Sequence, residues 1–166
     1  MSWEIERRFL VRVEGAMWHE RPGGRRLRQG YVRSEDPSVR IRVGEERGPV
    51  LASKRGSGVR RQEFEVVVTP EIADALFHAA GTRIIEKVRW EAGRWEVDLF
   101  MGSLEGLALM EIELEHERDV LPEPPKGITI LREVTDDKRF TSSSLAECPD
   151  RDRRELVSAL NAEVGL

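Results

Sequence analysis

Along most of the chain, apolar side chains alternate with polar or charged ones at a period of two. The alternation runs through residues 3–12, 26–33, 38–44, 49–55, 61–68, 83–91, 94–100 and 107–117. Period two is the signature of a half-buried strand. Ser34-Glu35-Asp36-Pro37, Glu46-Arg47-Gly48-Pro49 and Glu91-Ala92-Gly93-Arg94 fall between successive runs and carry residues that suit turns. Strands with such short connections predict antiparallel hairpins, and closure into an eight-stranded barrel would leave no exposed edge.

Two segments carry helical spacing instead. Ile72, Leu76 and Phe77 share a face behind Thr69 as N-cap and Pro70 at the first helical position, and Gly81 can end the helix. Leu156, Val157, Leu160 and Val164, with Gly165 behind them, predict a C-terminal helix over about residues 150–164. A shorter helix fits Glu14–Glu20, and Leu121-Pro122-Glu123-Pro124-Pro125 reads as a loop. There is no internal repeat. The expectation is one domain over residues 1–166, mainly β, with a few flanking helices.

The charges on the strands change the picture. Glu4 and Glu6 stand two apart, as do Arg40 and Arg42, Glu63 and Glu65, Lys87 and Arg89, and Glu96 and Asp98. Glu111, Glu113, Glu115 and Glu117 extend the pattern on one predicted strand. Residues i and i+2 share a face, so each doublet sets like charges side by side. At about 6.5 Å such a pair repels by roughly 2.5 kcal/mol at an effective dielectric near 20, and by about 0.6 kcal/mol in bulk water. A solvent face built for stability would mix the signs. Strands that are each consistently acidic or basic make sense if they converge on a ligand that neutralises both sets. Clustered carboxylates suit hard divalent cations such as magnesium or manganese. Clustered arginine and lysine suit phosphate oxygens.

Composition narrows the classes. The chain has 166 residues, enough for a sizeable core. Charged residues make up 35%, with a net charge of -4, a balance that argues against a nucleic-acid binder. Cys148 is the single cysteine, so no intramolecular disulfide forms. His19, His78 and His116 lack metal-ligand spacing. Acidic residues stand near the N-terminus where a signal peptide would have its apolar region, so none is expected, and no apolar run approaches a membrane span. A cytoplasmic protein without nucleic-acid or membrane partners is expected. The basic stretch from Arg21 to Arg28 reads as a solvated loop and strand start, Gly56-Ser57-Gly58 lacks P-loop spacing, and Thr141-Ser142-Ser143-Ser144 reads as turn and cap chemistry.

Glu4-Ile5-Glu6-Arg7-Arg8 resembles the N-terminal ExExK signature of the CYTH superfamily, the triphosphate tunnel metalloenzymes. Gln29-Gly30-Tyr31-Val32, Val39-Arg40-Ile41-Arg42-Val43 and Leu51-Ala52-Ser53-Lys54 are similar to its successive early strands. So are Arg61-Gln62-Glu63-Phe64-Glu65, Glu86-Lys87-Val88-Arg89-Trp90, Trp95-Glu96-Val97-Asp98 and Met110-Glu111-Ile112-Glu113 for its later ones. Glu133 to Phe140 resembles its post-barrel segment. The resemblance implies an eight-stranded tunnel that holds a triphosphate and one or two magnesium or manganese ions. It implies that Arg8, Arg40, Arg42, Lys54, Lys87, Arg89 and Arg139 hold phosphate oxygens. Glu4, Glu6, Glu63, Glu65, Glu96, Asp98, Glu111 and Glu113 become the metal-site residues, and Arg8, Glu4 and Glu6 the catalytic set. Arg8 replaces the signature lysine, and its wider planar fork is expected to keep affinity but lower turnover. Phe140 and Ser142 stand where the family often has tyrosine and asparagine.

Short chains opening this way look most like inorganic triphosphatases, which implies hydrolysis of tripolyphosphate by a monomer or homodimer. The alternatives are a nucleoside or thiamine triphosphatase, a class IV type adenylyl cyclase, or a non-catalytic polyphosphate- or nucleotide-binding module.

Overall fold

The protein, seen here as a computed structural model, is described over residues 2–163. Nine strands and four α-helices follow in the order β1 (Ser2–Val13), α1 (Gly15–Glu20), β2 (Arg25–Arg33), β3 (Ser38–Val43), β4 (Val50–Arg55), β5 (Arg60–Val67), α2 (Pro70–Ala80), β6 (Ile84–Ala92), β7 (Trp95–Phe100), β8 (Ala108–Leu114), β9 (Ile128–Glu133), α3 (Ser142–Glu147) and α4 (Asp150–Glu163). All pairings are antiparallel. The strand order is β5-β4-β3-β2-β6-β7-β8-β1-β9, and pairing of β5 with β1 closes β1–β8 into a barrel. Closure is carried by the start of β1, where Ser2, Trp3, Glu4 and Ile5 oppose Glu63, Gln62, Arg61 and Arg60. Farther along the same edge, β9 takes over and pairs with Phe9 to Val13. It is the one strand that period two did not predict.

The barrel is apolar outside and charged inside. On β1, β6, β7 and β8 the outward residues Phe9, Val11, Trp90, Val97, Met110 and Ile112 form a buried cluster that Trp18 of α1 covers. On β3, Ile41 packs under Ala73 and Phe77 of α2. Gly30 permits that seat, because a Cβ there would come within 2.9 Å of the Phe77 ring. Helix α2 begins as predicted: the Thr69 hydroxyl accepts from the Ile72 amide, and Pro70 fills the first turn.

The inward residues change character along the barrel axis. Arg8, Lys87, Asp98 and Glu111 give way, two residues on, to Leu10, Ile85, Phe100 and Leu109. These apolar residues pack with Phe140, Leu145, Val157 and Leu160, so the post-barrel segment and α4 plug one side of that end. Helix α3 was not predicted, although Thr141 caps it as the cap reading of that run implied. Arg153 of α4 ties it down by donating to the carbonyls of Leu145 and Ala146 at 2.9 and 2.6 Å. Val164 and Gly165, part of the predicted helix end, lie outside the described residues.

One expected feature fails. Strand β8 ends at Leu114. Asp119 accepts from the backbone amides of Glu115 and His116 at 3.2 and 3.0 Å and turns the chain. Glu115 and Glu117 therefore leave the acidic row, and Glu117 pairs with Arg60 on the surface at 2.5 Å. Among the described residues no helix is long and apolar enough to cross a membrane.

Candidate active site

Two cavities meet inside the barrel. One, of about 330 Å³, is walled by Glu4, Glu6, Arg42, Glu63, Glu65, Lys87, Arg89, Glu96, Glu111 and Glu113. The other, of about 470 Å³, opens toward the end where β3, β5, β6 and β8 begin and is rich in hydroxyls, among them Ser34, Ser38, Thr141 and Ser143, with Arg61 and Lys138. Arg8, Arg40, Lys54 and Ser142 line both, so the two form one passage. The doublets face inward as their spacing required.

The basic residues are anchored by carboxylates. Arg8, only 5% exposed, spreads its guanidinium over three partners. Nε donates to Glu111 at 2.7 Å, Nη2 to Glu6 at 3.2 Å and Nη1 to the Phe140 carbonyl at 3.1 Å. Burial opposes its charge, but Glu111 and Glu6 raise its pKa above the usual guanidinium value. Arg40 donates to Glu63 at 3.3 Å and lies 3.6 Å from Glu65. Lys54 donates to Glu4 at 3.2 Å. Arg42 pairs with Glu45, a residue between β3 and β4 that the doublet pattern missed. Burial, reinforced by neighbouring Arg40, lowers the Arg42 pKa. The buried Nε groups of both arginines have no hydrogen-bond partner among the described residues, and a buried open donor calls for an acceptor. A phosphate oxygen is one.

The acidic residues divide into two kinds. Asp98 and Glu111 are held by cations. Asp98 bonds Lys87 and Arg89 at 2.7 Å, and Glu111 stays well below its usual pKa because Arg8 and Arg89 outweigh its burial. Glu4, Glu6, Glu63 and Glu96 also have a cation partner but stand beside other carboxylates. Glu6 lies directly opposite Glu113, and Glu96 opposite Glu111. Glu113 has no salt-bridge partner among the described residues; burial, Glu4 and Glu6 raise its pKa. Burial raises Glu96 against the pull of Arg89. Burial and a hydrogen bond shared with Glu4 push Glu63 up to about 8. Burial also opposes the Glu4 charge, but the Glu63 bond and Lys54 hold its pKa below the usual value. Burial thus opposes ionising both carboxyls at once, which a bound cation would permit. Among the described residues no three Asp, Glu, His or Cys side chains already converge as a metal centre. The donor chemistry does fit a hard divalent ion, since Glu4, Glu6, Glu63 and Glu113 offer only carboxylate oxygens.

Two of the expected residues stand elsewhere. Arg139 is exposed and forms a two-pronged pair with Asp137, its Nε and Nη2 at 3.0 and 2.7 Å. Its neighbour Lys138 lines the passage instead. Asp98 is 1% exposed and sits behind the cavity wall. Ser142, expected only as turn and cap chemistry, and Tyr31, marked only by its place in a family segment, also line the passage.

No protein-family model matches the chain. An inorganic triphosphatase of Acetivibrio thermocellus is 35% identical over 161 residues, 93% of this chain and 100% of the relative. One of Nitrosomonas europaea is 32% identical over 154 residues, 86% of this chain and 96% of the relative. The crystal structure of the inorganic triphosphatase NE1496 superposes with a TM-score of 0.57 at 28% identity, covering 90% of this chain and 97% of that one. With these relatives and the charged barrel interior, the chain belongs to the inorganic triphosphatases of the CYTH superfamily.

Proposed function

We propose that this protein hydrolyses inorganic tripolyphosphate to pyrophosphate and orthophosphate, using one or two magnesium or manganese ions. The observation that carries the reading is the interior charge arrangement: cationic walls with open Nε donors on Arg40 and Arg42 face a row of carboxylates that repel one another. Arg40, Arg42 and Lys54 on β3 and β4, with Lys87 and Arg89 on β6, would grip the phosphate oxygens from two sides. Arg8 lines both cavities and would add charge where they join. Glu4, Glu6, Glu63 and Glu113 would hold the metal, with Glu65, Glu96 and Glu111 near it. A divalent ion there neutralises phosphoryl charge and makes water a competent nucleophile at neutral pH. Water adds to a terminal phosphorus, the phosphoanhydride bond breaks, and pyrophosphate departs.

The lining favours an inorganic substrate. The aromatics at the passage are Tyr31 and Trp95, 3% and 2% exposed, both packed in cores, so neither offers a face on which a base or thiazole ring could stack. Thermal unfolding tests this. Tripolyphosphate at about 100 times its dissociation constant adds roughly 2.7 kcal/mol, a rise of about 5–10 °C for a domain of this size. A larger shift with ATP, and none with tripolyphosphate, would favour the nucleotide alternatives.

A further inference from the structure

Asp98 is the most enclosed charged group of the barrel, 1% exposed, and Lys87 beside it is 2% exposed. Its Oδ2 accepts from Lys87 Nζ and Arg89 Nη2, and its Oδ1 from Arg89 Nε, all at 2.7 Å. One carboxylate thus fixes two cations, grasping the guanidinium along a whole edge. The register makes this direct, since Arg89 and Asp98 are opposed across β6 and β7. Arg89 Nη1 points the other way, to Glu96 at 2.5 Å, whose side chain is 40% exposed at the cavity. Asp98 itself does not line that cavity.

We propose that Asp98 is a positioning residue for the triphosphate rather than a metal ligand: from behind the wall it holds Lys87 and Arg89 so that their free donors face the phosphoryl oxygens. The inference rests on the tripolyphosphate reading. Long cationic side chains lose rotamer freedom on binding, and a group that has already fixed them removes that cost from the binding step. Glu96 is the partner that a phosphate oxygen replaces on Arg89. Both oxygens of Asp98 already accept from these two cations, and Asp98 does not line the cavity, which leaves the metal to the crowded carboxylates.

The roles make opposite predictions. Asp98→Asn removes a negative charge beside a polyanion site, so a purely electrostatic role predicts tighter tripolyphosphate binding. A metal ligand predicts unchanged or tighter metal-free binding and a higher metal concentration for half-maximal activity. Positioning predicts weaker metal-free binding, because the amide turns a donor toward Lys87 and Arg89. The test is calorimetric titration with tripolyphosphate in chelator, paired with the metal activation constant of each protein. Asp98→Ser, which leaves a small acceptor, is run beside it in case the asparagine variant does not fold. We expect a dissociation constant at least about tenfold higher with the activation constant within twofold. Unchanged or tighter metal-free binding, or a raised activation constant with intact binding, overturns the inference alone. Failure of the unaltered protein to bind tripolyphosphate in chelator overturns this inference, and failure with metal present as well overturns the proposed substrate too.

Discussion

Replacing Glu113 with glutamine should make the protein more stable and much less active. Glu113 stands opposite Glu6 on the neighbouring strand, and burial together with Glu4 and Glu6 raises its pKa. Opposed residues lie about 5.5 Å apart, where two carboxylates repel by roughly 3 kcal/mol at an effective dielectric of 20 and about 0.8 kcal/mol in bulk water. Glu113 is exposed, so the lower part of that range applies, about 1 kcal/mol. Glu6→Gln would be a less clean test, since Glu6 also accepts from Arg8. A gain of about 1 kcal/mol corresponds to a rise of roughly 2–4 °C in melting temperature, read in chelator so that metal binding does not contribute. In the same preparation, turnover of tripolyphosphate at saturating metal should fall at least about tenfold. A lower melting temperature would show that the carboxylate is not repelled as the geometry implies. Near-normal turnover would remove Glu113 from the metal site.

Arg8→Lys should lower the melting temperature by several degrees, because one ammonium cannot keep Glu6, Glu111 and the Phe140 carbonyl together, and each charge-assisted bond is worth about 1.5–3 kcal/mol. It should also raise kcat and weaken affinity; a lower kcat would show that arginine is the adapted residue. Burial and the hydrogen bond with Glu4 push Glu63 up to about 8 in the folded, metal-free protein against an ordinary value of 4.5, so the fold binds the extra proton between those values. Its contribution to stability is present below about 4.5 and is lost as pH rises toward about 8. A divalent ion needs that carboxylate charged, so metal affinity should climb over this window with release of a proton, measurable by calorimetry in buffers of different ionisation enthalpy; pH-independent affinity would contradict it. Arg139→Ala should leave KM for tripolyphosphate within about twofold, because Asp137 already holds that guanidinium at the surface; a KM raised tenfold in steady-state kinetics would return Arg139 to the site.

The eight barrel strands were legible because the barrel is apolar on one face and charged on the other, which writes period two into each. Strand β9 was not, since Ile128, Ile130 and Leu131 put apolar residues on both of its faces. Helix α3 was hidden by three serines, poor helix formers whose helix rests on the Thr141 cap and on burial of Leu145 and Ala146. Glu115 and Glu117 kept the acidic spacing past the point where Asp119 captures the backbone, an event that periodicity does not register. At the site, alternation gave the face of each charge but not its depth or partner. The seclusion of Asp98 depends on the register of β6 with β7, and the three-way grip on Arg8 depends on β8 and the post-barrel segment. Family likeness placed Arg139 near the passage, but its own neighbour Asp137 takes it.

The central claim is tested most directly by incubating the purified protein with tripolyphosphate, with and without magnesium or manganese, and separating the phosphate products. Equal amounts of pyrophosphate and orthophosphate are expected, formed only with metal, with slower release from ATP or thiamine triphosphate. Metal-independent release, cyclic AMP from ATP, or bound tripolyphosphate left uncleaved in every metal would contradict it.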